Sequence, residues 1–190
     1  DGTGYAPTAE IRCSPPECRP QLQALARAAA RCSTGRVVEV DGQWVARGDP
    51  MEAALHATSL RVGVDLPEDE LTAPEHARFP FDNRRRRMSV VAGDEVLVKG
   101  APDSVLDLCT PAPGAAAALA ELAERGLRVL AIASRPLAAG PVPHSSGDAE
   151  RALTLLGLVA LEHPPRHGAR DALAACRKAG IRVAMITGDH

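Results

Sequence analysis

Aromatic side chains are scarce in this sequence. Two Phe, one Tyr and one Trp amount to 2% of 190 residues. A core built on stacked rings is therefore excluded, and Ala, Val and Leu must fill the interior. So few rings also cannot supply the successive stacking platforms of a single-stranded nucleic-acid binder. A surplus of one charge is missing as well: 22 Lys and Arg stand against 24 Asp and Glu, a net charge of -2. That balance argues against a general nucleic-acid partner. No apolar run approaches the ~20 residues of a membrane helix, and no basic-then-apolar start marks a secretory signal. The five cysteines include no C-x-x-C pair. Cys13 and Cys18 bracket Ser-Pro-Pro-Glu without a second cluster to complete a metal site, so reduced thiols are expected.

What the chain does have is enough apolar content to fold, 45% hydrophobic, at a length that fits one domain or one domain plus part of another. Residues up to Pro20 read as strand and loop. Leu22, Leu25, Ala26 and Ala29 then recur at helical spacing. Val37 to Val45 predicts a hairpin turning at Asp41-Gly42, and Asp49 to Ser59 a helix. The acidic, Pro-containing stretch Val64 to His76 reads as a surface loop. Met88 to Ala92 and Glu95 to Lys99, joined by Gly93-Asp94, predict a second hairpin. Helices are expected near Ala101–Cys109 and Gly114–Arg125, and a strand at Leu127–Ser134. Pro136 to Asp148 is a loop, with a domain boundary near its end. Beyond it, Ala152–Leu161 reads as a strand buried on both faces, Ala169, Ala172, Leu173 and Cys176 as one face of a helix, and Ile181–Ile186 as a further strand. That is a βαβ unit of a parallel sheet whose neighbours are missing.

Four stretches invite chemistry. In Gly48-Asp49-Pro50-Met51-Glu52, helix capping explains Asp49, Pro50 and Glu52, and a ligand role needs Glu52 to face a site. In Phe81-Asp82-Asn83-Arg84-Arg85-Arg86-Arg87-Met88, four arginines make either a solvated face or an anion site. Strand alternation would put Arg86 and Met88 on one face, which with Phe81 suits a base bearing a phosphate tail. Lys99-Gly100 is either an ordinary strand-to-helix turn or a place where backbone approaches a ligand closely. Thr187-Gly188-Asp189 follows an apolar strand, where a hydroxyl, a bare backbone and a carboxylate can handle phosphate and metal.

In this order, GDPMEAAL, FPFDNRRRRMSVV, VKGAPD, GLRVLAIASR, GLVALEHPPR and ACRKAGIRVAMITGDH resemble the cytoplasmic ATP-binding region of P-type ATPases, in the branch with the calcium and sodium pumps. The resemblance covers nearly the whole chain from Gly4. It implies an α/β fold: an antiparallel sheet flanked by helices, the nucleotide-binding domain, over 1–150. A partial haloacid-dehalogenase-like βαβ segment of the phosphorylation domain follows over 151–190. It implies that Phe81 stacks on adenine, that Glu52 lies near the adenine amino group, and that Met88 and Leu130 line the pocket. Lys99 and Gly100 would sit at the nucleotide, with Arg86 where the family usually has lysine. Arg128 would reach toward the phosphates. Thr187, Gly188 and Asp189 match the motif near the transferred phosphate.

The implied function is to hold ATP for phosphoryl transfer to an Asp absent from the chain, with Mg²⁺ joining in the intact pump. The implied partners are the remaining phosphorylation, actuator and transmembrane domains, and the implied place is the cytoplasmic side of an integral membrane protein. Asp1-Gly2-Thr3-Gly4 lacks the Lys and final Thr of the phosphorylation motif and has no strand to present it, so Asp1 is not read as the nucleophile. Two departures stand out. Met51 replaces a frequent Thr, and His163 replaces the Asp of Asp-Pro-Pro-Arg, which alters the local hydrogen-bond network. That loss leaves an alternative, a non-catalytic nucleotide-sensing or interaction module with the same fold. A soluble phosphatase would need its own nucleophilic Asp ahead of residue 1.

Overall fold

The computed structural model describes residues 4–137, 140–162 and 168–184. Asp1, His163, Thr187, Gly188 and Asp189 therefore lie outside the described residues. After a short turn at Pro16–Cys18, α1 runs Arg19–Arg31. A hairpin follows, β1 (Arg36–Val40) and β2 (Gln43–Arg47), turning at Asp41-Gly42 as its sequence predicts, and then α2 (Pro50–Arg61). Next come α3 (Leu66–Thr72), β3 (Glu75–Asp82), β4 (Arg87–Ala92), β5 (Glu95–Gly100), α4 (Pro102–Leu106) and α5 (Ala115–Glu124). The chain continues through β6 (Arg128–Pro136), α6 (Ser146–Ala149), β7 (Thr154–Leu161) and α7 (Ala169–Lys178).

Strands β3 to β7 form one antiparallel sheet in chain order. Period-two alternation sends Met88, Val90, Ala92, Leu97, Leu130 and Ile132 to one face, where α1 and α2 cover them with Ala28, Ala29, Cys32 and Leu55. The other face carries Val91, Val96, Val98, Ala131 and Ala133 against Val105 of α4 and against Ala149 and Leu153. These core members are small and aliphatic, as the scarcity of rings requires. Burial pushes the Cys32 thiol up to about 12, which makes it an inert packing group. All five cysteines are free.

The structure departs from the sequence expectation in several segments, beginning with residues 4–20, where no strand forms. The acidic stretch taken as a loop contains α3. Asp65 caps it by accepting from Glu68 N at 3.1 Å, and Pro67 sits in the first turn, where its missing N–H costs nothing. Asp69 of α3 pairs with Arg27 and, at 2.7 Å, with the buried Arg31 of α1. The apolar run Ala152–Leu161 is not a parallel strand buried on both faces. Its strand, β7, pairs antiparallel with β6 at the edge of the sheet and is only half-buried. An apolar run reports burial, but it cannot report which neighbour or which direction supplies it. Finally, residues 181–184 form no strand, because no described segment offers them a ladder; the rest of that expected strand lies outside the described residues.

Candidate functional site

Asp49 caps α2 by accepting from Glu52 N at 3.0 Å, with Pro50 in the first turn, so the capping reading of this stretch holds. The Glu52 side chain does something else. Its Oε2 accepts from Thr34 N at 2.7 Å, Thr34 Oγ1 at 2.8 Å and Gly35 N at 2.9 Å. Its Oε1 accepts from Lys99 Nζ at 2.8 Å, and the same ammonium donates to Ser33 Oγ at 2.8 Å. The side chains of Lys99 and Glu52 are only 5% and 14% exposed, which makes this a largely desolvated pair. Burial pushes the Glu52 carboxyl up, but the hydrogen bonds from Lys99, Gly35 and Thr34 outweigh it and bring it down to about 2.

Gly35 is what permits this fit. A Cβ there would lie 2.5 Å from Asp49 O and 2.8 Å from Glu52 Cβ. The bare backbone lets the end of the α1–β1 link close on the first turn of α2, and both amides reach the carboxylate.

Lys99 stands directly opposite Met88 across the β4–β5 ladder and opposite Ile132 across β5–β6. Residues so paired share a face. Met88 and Leu130 are buried in the apolar cluster on that face, and Arg128 lies two residues before Leu130 on β6 with its side chain exposed. Phe81 sits near the end of β3. Between the pairs Phe79↔Ser89 and Asp82↔Arg87 the register shifts by one residue, so Pro80 and Phe81 together oppose Met88. The Phe81 ring is 57% exposed. The fold thus gathers Glu52, Lys99, Met88 and Leu130 at one end of the sheet, with an uncovered aromatic ring at the rim.

Two expected members are not gathered. Arg86 is not a strand residue sharing a face with Met88. It ends a turn with φ of 52°, and its guanidinium pairs with Asp103 at 2.5 Å on the surface. Asp82 causes this turn, since its Oδ1 accepts from the amides of Arg84 and Arg85, each at 2.9 Å. Gly100 faces away from the Lys99 side, paired with Arg87. Its missing side chain admits the protein's own backbone: a Cβ would lie 2.4 Å from Arg87 Cβ and 2.7 Å from Arg86 O.

Three of the four arginines in the run are engaged by carboxylates of the chain itself. Arg85 and Arg87 both pair with Glu150, whose side chain is 1% exposed. Sequence reasoning did not single out Ser33, Thr34, Gly35 or Glu150. Ser33 to Gly35 look like an ordinary link, and Glu150 follows an undistinguished Ser-Gly-Asp-Ala stretch with no local signal. Among the described residues, no group of three or more His, Cys, Asp or Glu is arranged to hold a metal ion. No described helix is long and apolar enough to cross a membrane.

Comparison with known proteins agrees with the antiparallel, helix-flanked fold. The model of a family described as P-type ATPase, cytoplasmic domain N, matches residues 21–168. The chain is similar to a calcium-transporting ATPase of Bacillus subtilis, with 35% identity over 100% of this chain and 24% of the relative. It is also similar to a probable cation-transporting ATPase F of Mycobacterium tuberculosis, with 36% identity over 100% of this chain and 23% of the relative. A sodium/potassium exporting P-type ATPase of Schizosaccharomyces pombe is 34% identical over 90% of this chain and 18% of the relative. The chain spans about a quarter of the length of the first two relatives.

Proposed function

The chain belongs to the cytoplasmic domain N family of P-type ATPases, and from that premise we propose that it holds ATP at the Lys99 end of the sheet for phosphoryl transfer to an aspartate elsewhere in a cation pump. The observation that carries this reading is the exposed Phe81 at the register shift opposite Met88, with Lys99 paired to Met88 on the next strand. A ring uncovered on one side offers a face to a planar base, and the apolar Met88 and Leu130 lie on the same face of the sheet. Lys99 and the exposed Arg128 supply positive charge toward the phosphate chain. Glu52 already takes one donor on Oε1 and three on Oε2, so its main work is to hold Lys99 and the Ser33–Gly35 link. Oε1 keeps one further acceptor position, suited to the adenine amino group.

In the intact pump, positioning and charge neutralisation would dominate the transfer, and ion movement would follow from domain rearrangement. Mg²⁺ would join in the intact pump, held chiefly with the phosphates of the nucleotide. Thr187, Gly188 and Asp189 are assigned to the phosphorylation domain, near the transferred phosphate. A domain division at 150/151 would separate the hydrogen-bonded neighbours β6 and β7, so we set it after Leu161. The phosphorylation, actuator and transmembrane domains are the partners of this unit, on the cytoplasmic side of the membrane.

Titration of the chain with ATP and with AMP, followed through the adenine and Phe81 ring protons, tests the site. Binding in the sub-millimolar to millimolar range is expected, about 4 to 6 kcal/mol. Phe81→Ala should weaken both nucleotides by a similar factor, roughly ten-fold. A folded Phe81→Ala protein that binds ATP as tightly as wild type would put the pocket elsewhere.

A further inference from the structure

Glu150 lies at the end of α6, on the face of the sheet away from Lys99, and its side chain is 1% exposed. A buried carboxylate must be fully partnered to be tolerated. Its Oε1 accepts from Ser89 Oγ at 2.7 Å and from Arg85 Nη1, and its Oε2 accepts from Arg87 Nε at 2.7 Å. Arg87 Nη1 also donates to Arg85 O at 3.1 Å. The free end of the Arg85 fork, Nη2, donates to Pro80 O at 2.7 Å. That carbonyl belongs to the peptide that enters Phe81.

The location matters because Pro80 and Phe81 occupy the register shift between β3 and β4. There the regular ladder does not set the backbone, and Pro80 has no N–H to offer one. The Phe81 ring, more than half exposed, is not held by packing either. The backbone therefore sets where its Cα–Cβ bond points, and the backbone at Pro80 is tied through Arg85 to Glu150.

We propose that Glu150 is a positioning residue for the base-stacking ring, acting through Arg85 on the Pro80–Phe81 peptide. This rests on the nucleotide reading of Phe81 given above. Glu150 touches no ligand. It preorganises the ring, so that ordering the Phe81 segment is not charged against binding. Loss of the carboxylate frees Arg85 and Arg87, and both are partly exposed and able to turn to solvent.

The test is a double-mutant cycle in the full 190-residue chain, with ATP as the probe: wild type, Phe81→Ala, Glu150→Gln and the double variant. Glu150→Gln alone is expected to weaken ATP by about two- to ten-fold, and to add less than about two-fold in the Phe81→Ala background. A merely structural role would weaken ATP equally in both backgrounds. Arg85→Ala, which leaves Ser89 and Arg87 to satisfy Glu150, runs through the same cycle with the same expectation and decides the matter if Glu150→Gln does not fold. If Phe81→Ala weakens ATP but the second substitution multiplies the loss, or has no effect alone, the positioning role is overturned and the pocket stands. If Phe81→Ala itself leaves ATP binding unchanged, the pocket and the positioning role fall together.

Discussion

Lys99 Nζ and Glu52 Oε1 lie 2.8 Å apart, joining the end of β5 to the first turn of α2. The same carboxylate gathers Thr34 and Gly35 through its other oxygen. One ion pair thus ties three separate segments at the proposed nucleotide pocket, and its state decides whether the pocket is built.

The pair makes stability depend on acid pH. The Glu52 carboxyl is depressed from its ordinary value of 4.5 to about 2. Its contribution is therefore fully present above about pH 4.5, and it is lost as pH falls from there through about 2. Wild type should lose on the order of 2 kcal/mol more than Glu52→Gln across that window, with allowance for the solvent that reaches the carboxylate. Urea melts of both proteins at several pH values check this, and parallel pH profiles would refute it.

Lys99 and Arg86 should separate cleanly. Lys99→Ala leaves the largely buried Glu52 without its cation, so it should cost about 3 kcal/mol of stability and hurt ATP at least as much as AMP. Arg86 forms an exposed pair with Asp103, so Arg86→Ala should shift stability by less than about 1 kcal/mol. Because that guanidinium is turned to Asp103 and not gathered with Lys99, Arg86→Ala should change ATP binding far less than Lys99→Ala does. Nucleotide titrations, with denaturation curves alongside, distinguish the two.

Gly100→Ala should destabilise by about 2 kcal/mol or more, because the new methyl would meet Arg87 Cβ and the Arg86 carbonyl, neither of which is the tip of a flexible chain. Chemical denaturation reads the loss directly. A variant as stable as wild type would mean that β4 and the turn before it shift freely at this point.

Helix α7 should be poorly protected. It buries none of its residues, and Leu173 is 43% exposed. Amides of Ala169–Lys178 should exchange far faster than those of β4 and β5, while β7, hydrogen-bonded into the sheet, should be slower than α7. Hydrogen exchange at a concentration where the chain is monomeric provides the measurement, and equal protection of α7 and β4 would overturn the expectation.

Much of the local structure follows from short-range rules, which is why the sequence alone determined it. Asp41-Gly42 and Gly93-Asp94 specify hairpin turns through backbone conformation, Asp49-Pro50 starts α2 by capping, and alternation assigns Met88 and Val91 to opposite faces. Asp65-Leu66-Pro67-Glu68 carried the same kind of capping signal for α3, but its acidity and proline read equally well as loop. Long-range pairings have no such local signature. The direction of β7, the diversion of Arg86 to Asp103, the convergence of Arg85 and Arg87 on Glu150, and the capture of Ser33 to Gly35 by Lys99 and Glu52 all join groups far apart in the chain. A charged side chain carries no mark of its partner. Only the folded sheet, by withdrawing these groups from water together, decides which opposite charge each must find.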